Sequence, residues 1–244
     1  FRQRTQVTQR ARDVSERYLL QVRNARGVAV ADAEVAVQAG SGGAIQLLGQ
    51  RTLRAHGTLS AHGGSAGGDG GFIETSGGYA VPSADLPQAT LRGGFDLRGV
   101  QVDASASAGK AGTWLIDPYD VIISNGAGAP PVPLDPFEPI GTSTLQDGDI
   151  NNALQTSNVT ITTGSGGVPG TGDIRLEDAR IYYTGGAGGT RTFTLNAHNS
   201  VRTNGNVIIA GAGANHALNV VFNADVDAVG AVPAPGGGQF SFCV

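Results

Sequence analysis

From residue 27 onward the apolar positions come in brief alternating runs, each closed by Gly, Asn or Asp. Val28/Val30 and Val35/Val37 flank Asp32; then follow Ile45/Leu47, Leu53, Leu59, Phe72-Ile73, Phe95/Leu97 and Val100/Val102. A period of two marks half-buried strands. Runs of three to five residues are too brief for an ordinary sandwich and suit a chain that turns every few residues. The densest stretch, GKAGTWLIDPYDVIIS at 109–124, sets two apolar runs, Trp114-Leu115-Ile116 and Val121-Ile122-Ile123, around a corner at Asp117-Pro118. Proline fixes φ and removes a ladder donor, so this corner is predicted to join two short strands.

The later runs are the clearest: Val159-Thr160-Ile161, Ile174-Arg175-Leu176, Ile181-Tyr182-Tyr183, Phe193-Thr194-Leu195, Val207-Ile208-Ile209 and Val220-Val221-Phe222. TFTLNA and NVVFNA align with Leu195 over Phe222 and Asn196 over Asn223, an offset of 27 residues. That offset is longer than a hairpin repeat and falls among solenoid periods. The expected fold is all-β, a right-handed parallel β-helix in which apolar columns point inward and Asn196 and Asn223 stack as an amide ladder at a corner. Asp149 is expected to cap one helical turn at Asp149-Ile150-Asn151-Asn152-Ala153-Leu154.

Three parts follow from the pattern. In residues 1–26, Val7, Ala11, Val14, Tyr18 and Val22 recur every three or four positions, which favours an amphipathic or capping helix over the competing strand at Tyr18-Leu19-Leu20. Residues 27–229 form the parallel β-helix, with excursions near 77–91 and 125–142, the second dense in Pro and expected to cover an edge. Residues 230–244 read as a Gly/Pro-rich tail.

Composition sharpens this picture. Gly 39 and Pro 11 are high, but 40% hydrophobic residues argue against a disordered or collagen-like chain. Seven Arg against two acids in the first 26 residues put a basic leader on an acidic body, since the whole chain carries −4. Solvated arginine is the expectation there, and no basic and aromatic interleaving downstream points to nucleic acid. Cys243 stands alone, so neither an intrachain disulfide nor a Cys-based zinc site is expected. The absence of Met suggests a processed chain or an internal piece.

GGDGGFIETSGG at 67–78, AGTWLIDPYDVII at 111–123, DINNALQTSNVTITTGSGG at 149–167 and the run from GDIRL through TFTLNA to NGNVIIAG together resemble large exoproteins of bacterial two-partner secretion, the filamentous-haemagglutinin type. The resemblance spans about 39–227. It implies a β-helical shaft on, or released from, a Gram-negative cell surface, exported through a partner outer-membrane transporter barrel. It also implies adhesive contact with host-cell or surface glycans and proteins, with no cofactor and no catalytic residue. Two departures stand out: the family's secretion domain is not recognisable in residues 1–26, and the insertion at 130–139 lengthens the connection after the DPYD corner.

The residues singled out as structural are Trp114, Asp117, Pro118, Asn196 and Asn223. A polysaccharide-active enzyme is the competing class, and would need converging carboxylates. Asp117 with Asp120, and Asp225 with Asp227, are the candidate pairs, each also explained by turn chemistry. His56, His62, His198 and His216 lack metal-ligand spacing, and the Gly-rich runs lack a phosphate-loop continuation. Trp114 is expected in the core rather than as a sugar platform. A third possibility is a self-assembling filament subunit, with copies stacked head to tail through unpaired strand edges.

Overall fold

The computed structural model describes residues 42–49, 52–77, 94–126, 143–164, 172–185, 189–211 and 216–225, with the backbone of three further strand pieces. Among these residues the chain is built of parallel strands and one helix, and successive circuits revisit the same sheets in the same order.

The first sheet stacks β1 (Leu19–Leu20), β3 (Ala44–Gly49), β6 (Phe72–Gly77), β9 (Thr113–Asp117), β12 (Asn158–Thr162), β15 (Arg191–Ala197) and β18 (Leu218–Ala224). Its register carries the alternation from circuit to circuit. Ile45, Ile73, Trp114, Val159, Phe193 and Val220 form one inward row, and Leu47, Thr75, Ile116, Ile161, Leu195 and Phe222 the next. A one-residue slip would turn every apolar side chain outward, so the core fixes the pairing.

A second side of the molecule carries β4 (Thr52–Arg54) and β7 (Gly94–Asp96), followed by β11 (Ser143–Gln146), β10 (Val121–Ser124), β13 (Ile174–Glu177), β16 (Val201–Asn204) and β19 (Phe240–Ser241). The third carries β2 (Val35–Ala36), β5 (Thr58–Ser60) and β8 (Gln101–Asp103), then β14 (Arg180–Tyr183) and β17 (Ile208–Gly211). Between β8 and β14 sits α1 (Asp147–Leu154), which packs on both. Ile150, Ala153 and Leu154, at helical spacing, face the core where a strand would otherwise run.

The corner leading into the first sheet explains the paired glycines of the sequence. Gly42, Gly71 and Gly112 lie against one another in consecutive circuits, and a Cβ on any of them would collide with the backbone of an adjoining circuit. Gly71 N–H donates to Ala61 O and Gly112 N–H to Ala104 O, both at 2.7 Å.

Several expectations are corrected. Asp149 does not cap the helix: α1 starts at Asp147, its extended N-cap is Gln146, and no side chain caps it. Leu19–Leu20 pairs in parallel with Ala44 and Ile45, the strand reading, and the remainder of 1–26 lies outside the described residues. Both excursions also lie largely outside them. Within the stretch read as a tail, Phe240–Ser241 pairs with Val201 and Arg202. Two strands passed unnoticed, β11 and β16, and the spatial order places β11 on the far side of β10 from β13.

Candidate functional site

The helical insertion is where the most polar chemistry is buried. A helix cannot hydrogen-bond sideways with its backbone, so the strands above and below would lose their ladder partners. Side chains supply them. On the upper side Asn151 Nδ2 donates to Arg180 O at 2.9 Å and Asn151 Oδ1 accepts from Tyr182 N–H at 2.7 Å. These bracket Ile181 as a parallel strand's own amide and carbonyl would. Asp147 Oδ2 accepts from Arg180 N–H at 2.7 Å and its Oδ1 from Gly126 N–H at 2.9 Å. On the lower side Thr156 donates to Val102 O at 2.8 Å, Ser157 Oγ accepts from Ala104 N–H at 2.9 Å, and Asp149 accepts from Gly99 N–H.

Asp149 is 3% exposed. Burial pushes its carboxyl from the ordinary 3.8 up to about 6; the Gly99 hydrogen bond opposes this, and the negative charges of Asp96 and Asp147 add to it. Asp96, on the same side, is held differently. Burial raises it, but Arg98, bound to both carboxylate oxygens at 2.9 and 3.0 Å, and His56 outweigh that and keep it below the ordinary range. Arg54 Nε lies 3.9 Å and His56 Nε2 3.7 Å from Asp96 Oδ2. The two neighbouring carboxylates therefore differ in how tightly they hold a proton, because Asp96 has a guanidinium bonded to it and Asp149 does not.

Trp114 is fully buried in β9 and donates from Nε1 to Thr75 Oγ1 at 3.0 Å, which accounts for a threonine in an otherwise apolar column. It offers no sugar platform. Pro118 turns the chain between β9 and β10, its carbonyl accepting from Gly164 N–H of the following circuit at 3.0 Å. Asn223 Nδ2 donates to Asn196 Oδ1 at 2.8 Å, and Asn196 Nδ2 reaches Thr162 Oγ1 at 3.5 Å. The ladder lies within the strands, one residue before their ends, rather than at a corner.

The described carboxylates of both candidate pairs sit at turns, Asp117 and Asp120 on either side of the Pro118 corner and Asp225 just past β18. Asp120 Oδ1 accepts from Asp173 N–H at 2.9 Å and secures the next circuit. The acid that acts on Asp117 is Glu74, one circuit below: burial first, then the Glu74 charge, push Asp117 up to about 6. Glu74 is itself held by Gln46 Nε2 at 2.6 Å and Ser76 Oγ at 2.9 Å. Asp225 takes a left-handed φ of 57° at the end of β18, and its N–H donates to Asn199 O. Asp227 lies outside the described residues.

The histidines occupy four separate environments. His56 bonds Arg98 O through Nδ1 at 3.1 Å, His62 bonds Ser60 Oγ, His198 N–H donates to Thr163 Oγ1, and His216 meets the Tyr183 ring edge-on at 5.9 Å. Among the described residues no group of three His, Cys, Asp or Glu is placed to hold a metal ion, and no helix is long and apolar enough to cross a membrane.

Sequence reasoning missed Glu74, Asp96, Asp147 and Asn151. For Asp147 and Asn151 the available signal was the density of short polar side chains in DGDINNALQTSN, six of which point to neighbouring circuits rather than to solvent; Glu74 and Asp96 had none. Comparison with models of known protein families gives no match, and comparison with curated proteins gives none either.

Proposed function

We propose that the chain is a shaft segment of a filamentous-haemagglutinin-type exoprotein: a right-handed parallel β-helix that presents an adhesive surface outside a Gram-negative cell and carries out no catalysis. The observation that supports it best is the parallel, in-register stacking of Arg191–Ala197 on Leu218–Ala224, residue for residue at the offset legible in the sequence. A coil that repeats in this way grows by adding circuits, each burying its apolar row on the last, and so makes a rod. Right-handed winding follows from the twist of parallel strands joined by crossovers. Short strands and a single cysteine suit export in an unfolded state through a transporter barrel.

A polysaccharide-active enzyme is the alternative, and Asp117 beside Glu74 favours it over the other acids, because a carboxyl near 6 can donate a proton close to neutral pH. One experiment separates the two. Beads carrying the purified chain are expected to adhere to cell or glycan-coated surfaces, while incubation with acidic polysaccharides yields no new reducing or unsaturated ends. Turnover abolished by Asp117→Asn would replace the shaft reading with the enzymatic one. Failure to adhere to any surface would remove the adhesive part.

A further inference from the structure

An asparagine is chemically labile where the next backbone nitrogen can reach its side-chain amide carbon. Glycine in the following position, having no Cβ, hinders that approach least, and serine little more. The sequence has two Asn-Gly steps, Asn125-Gly126 and Asn204-Gly205, and one Asn-Ser step, Asn199-Ser200. All three lie at the ends of β10 and β16.

The fold treats the three differently. Gly126 N–H donates to Asp147 Oδ1 at 2.9 Å. At Asn199-Ser200, Asp173 Oδ1 accepts from Asn199 Nδ2 at 2.7 Å and from Ser200 N–H at 3.2 Å, so one carboxylate holds both the attacking nitrogen and the departing amide. At the third step the carboxylate of Asp178 is out of place by one residue, accepting from Asn206 N–H at 2.9 Å. Among the described residues no group accepts the Gly205 N–H, and the exposed Asn204 side chain has no hydrogen-bond partner. Nor could a bulkier residue protect the step. Gly205 has a φ of 72°, and a Cβ there would collide with the Asp178 carboxylate.

We propose that Asn204 is a site of spontaneous covalent modification, converting to aspartate and isoaspartate through a cyclic imide. Gly205 N bonds to Asn204 Cγ as the Cγ–Nδ2 bond breaks, and the Gly205 proton leaves with the side-chain nitrogen as ammonia. Water then adds to either imide carbonyl; no electrons are exchanged. Ring closure turns the 204–205 peptide and gives up the bond from Asp178 N–H to Asn204 O at 2.9 Å, which joins neutral groups. Closure at 125–126 gives up a bond to a carboxylate, about twice as strong, and that difference slows it about tenfold. The consequence falls on the corner between β16 and β17. Isoaspartate inserts an extra backbone carbon, so Asp178 cannot keep both its N–H on Asn204 O and its Oδ1 on Asn206 N–H. The new carboxylate also stands beside Glu177, the ladder partner of Asn204. This inference does not depend on the adhesive reading.

The test is ageing of the full chain in mildly alkaline buffer, folded and in urea. Peptide mass spectrometry follows the exchange of amide for acid, and a protein-isoaspartate methyltransferase serves as the probe for isoaspartate. In the folded chain Asn204 is expected to convert about tenfold faster than Asn125, with Asn199 slower still. In urea, where Asp147 no longer holds Gly126, Asn125 and Asn204 should convert at similar rates. Asn204→Gln should remove most of the methyl acceptance gained on ageing. Ageing should also speed hydrogen exchange of the Asn206 amide in the unaltered chain and not in Asn204→Gln. Asn125 or Asn199 keeping pace with Asn204 in the folded chain, or conversion of Asn204 only in urea, would overturn the proposal. So would a lead for Asn204 that persists in urea, methyl acceptance undiminished in Asn204→Gln, or an Asn206 amide indifferent to ageing.

Discussion

Asp149 shows how one side chain can be structural and costly together. It accepts the Gly99 N–H, yet it is buried near Asp96 and Asp147 and titrates near 6 instead of 3.8. A carboxyl whose folded pKa is raised binds its proton more tightly when folded. Its contribution to stability is therefore full below the unfolded value, and is lost as pH rises through about 6. Asp117 acts in the same direction, whereas Asp96, held low by Arg98, loses its contribution only in stronger acid. Thermal unfolding is accordingly expected at higher temperature at pH 5 than at pH 7.5. Asp149→Asn keeps an acceptor for Gly99 without the charge, so it should raise stability at pH 7.5 by about 1 kcal/mol, allowing for solvent screening, and flatten the pH dependence. An unchanged pH profile in the variant would contradict this assignment.

At the scale of the element, α1 replaces a strand, and its neighbours tolerate the exchange because polar side chains stand in for the missing backbone. Asn151 carries most of the upper substitution through its two bonds to β14. Asn151→Ala would leave Arg180 O and Tyr182 N–H without that partner, at about 1–3 kcal/mol. Amide exchange should accelerate at Tyr182 while Ile45 and Ile73, several circuits below, keep their protection. Uniform acceleration throughout would mean that the helix is not a local patch. Insertions of this kind explain why the elements were unequally legible. Strands with two or more inward apolar residues, such as Phe193/Leu195 in β15, are plain in the alternation. Ser143-Thr144-Leu145-Gln146 has one apolar residue, and its buried Ser143 is fixed by the Phe95 N–H from β7, a contact that no local pattern announces. Asp149 looked like a cap because its surroundings fit a helix start, and its partner Gly99 is fifty residues away.

Across the whole molecule, stability should follow position along the stack, since each circuit touches only its neighbours. Phe193 is fully buried between Val159 and Val220, and Phe193→Ala should cost about 3–5 kcal/mol through transfer and cavity terms. Val220→Ala, in the same row at the open end, should cost about 1 kcal/mol or less, because less apolar area is lost there. Denaturant melts of the two variants measure the difference, and equal losses would show that the terminal circuit is covered as fully as the middle.

Alternation, glycine punctuation and the recurrence of Asn196 at Asn223 were enough to determine parallel pairing of short strands and the register of β15 on β18, because a period of two and a self-similar offset are properties of the chain itself. Which strand lies beside which was another matter. The placement of β11 beyond β10, the helix standing in a strand's position, and the burial of Asp117 within reach of the Glu74 charge came only with the tertiary structure. Each depends on groups distant in the chain meeting in a space from which water is excluded, and there a single hydrogen bond or neighbouring charge decides between arrangements that local pattern leaves equal.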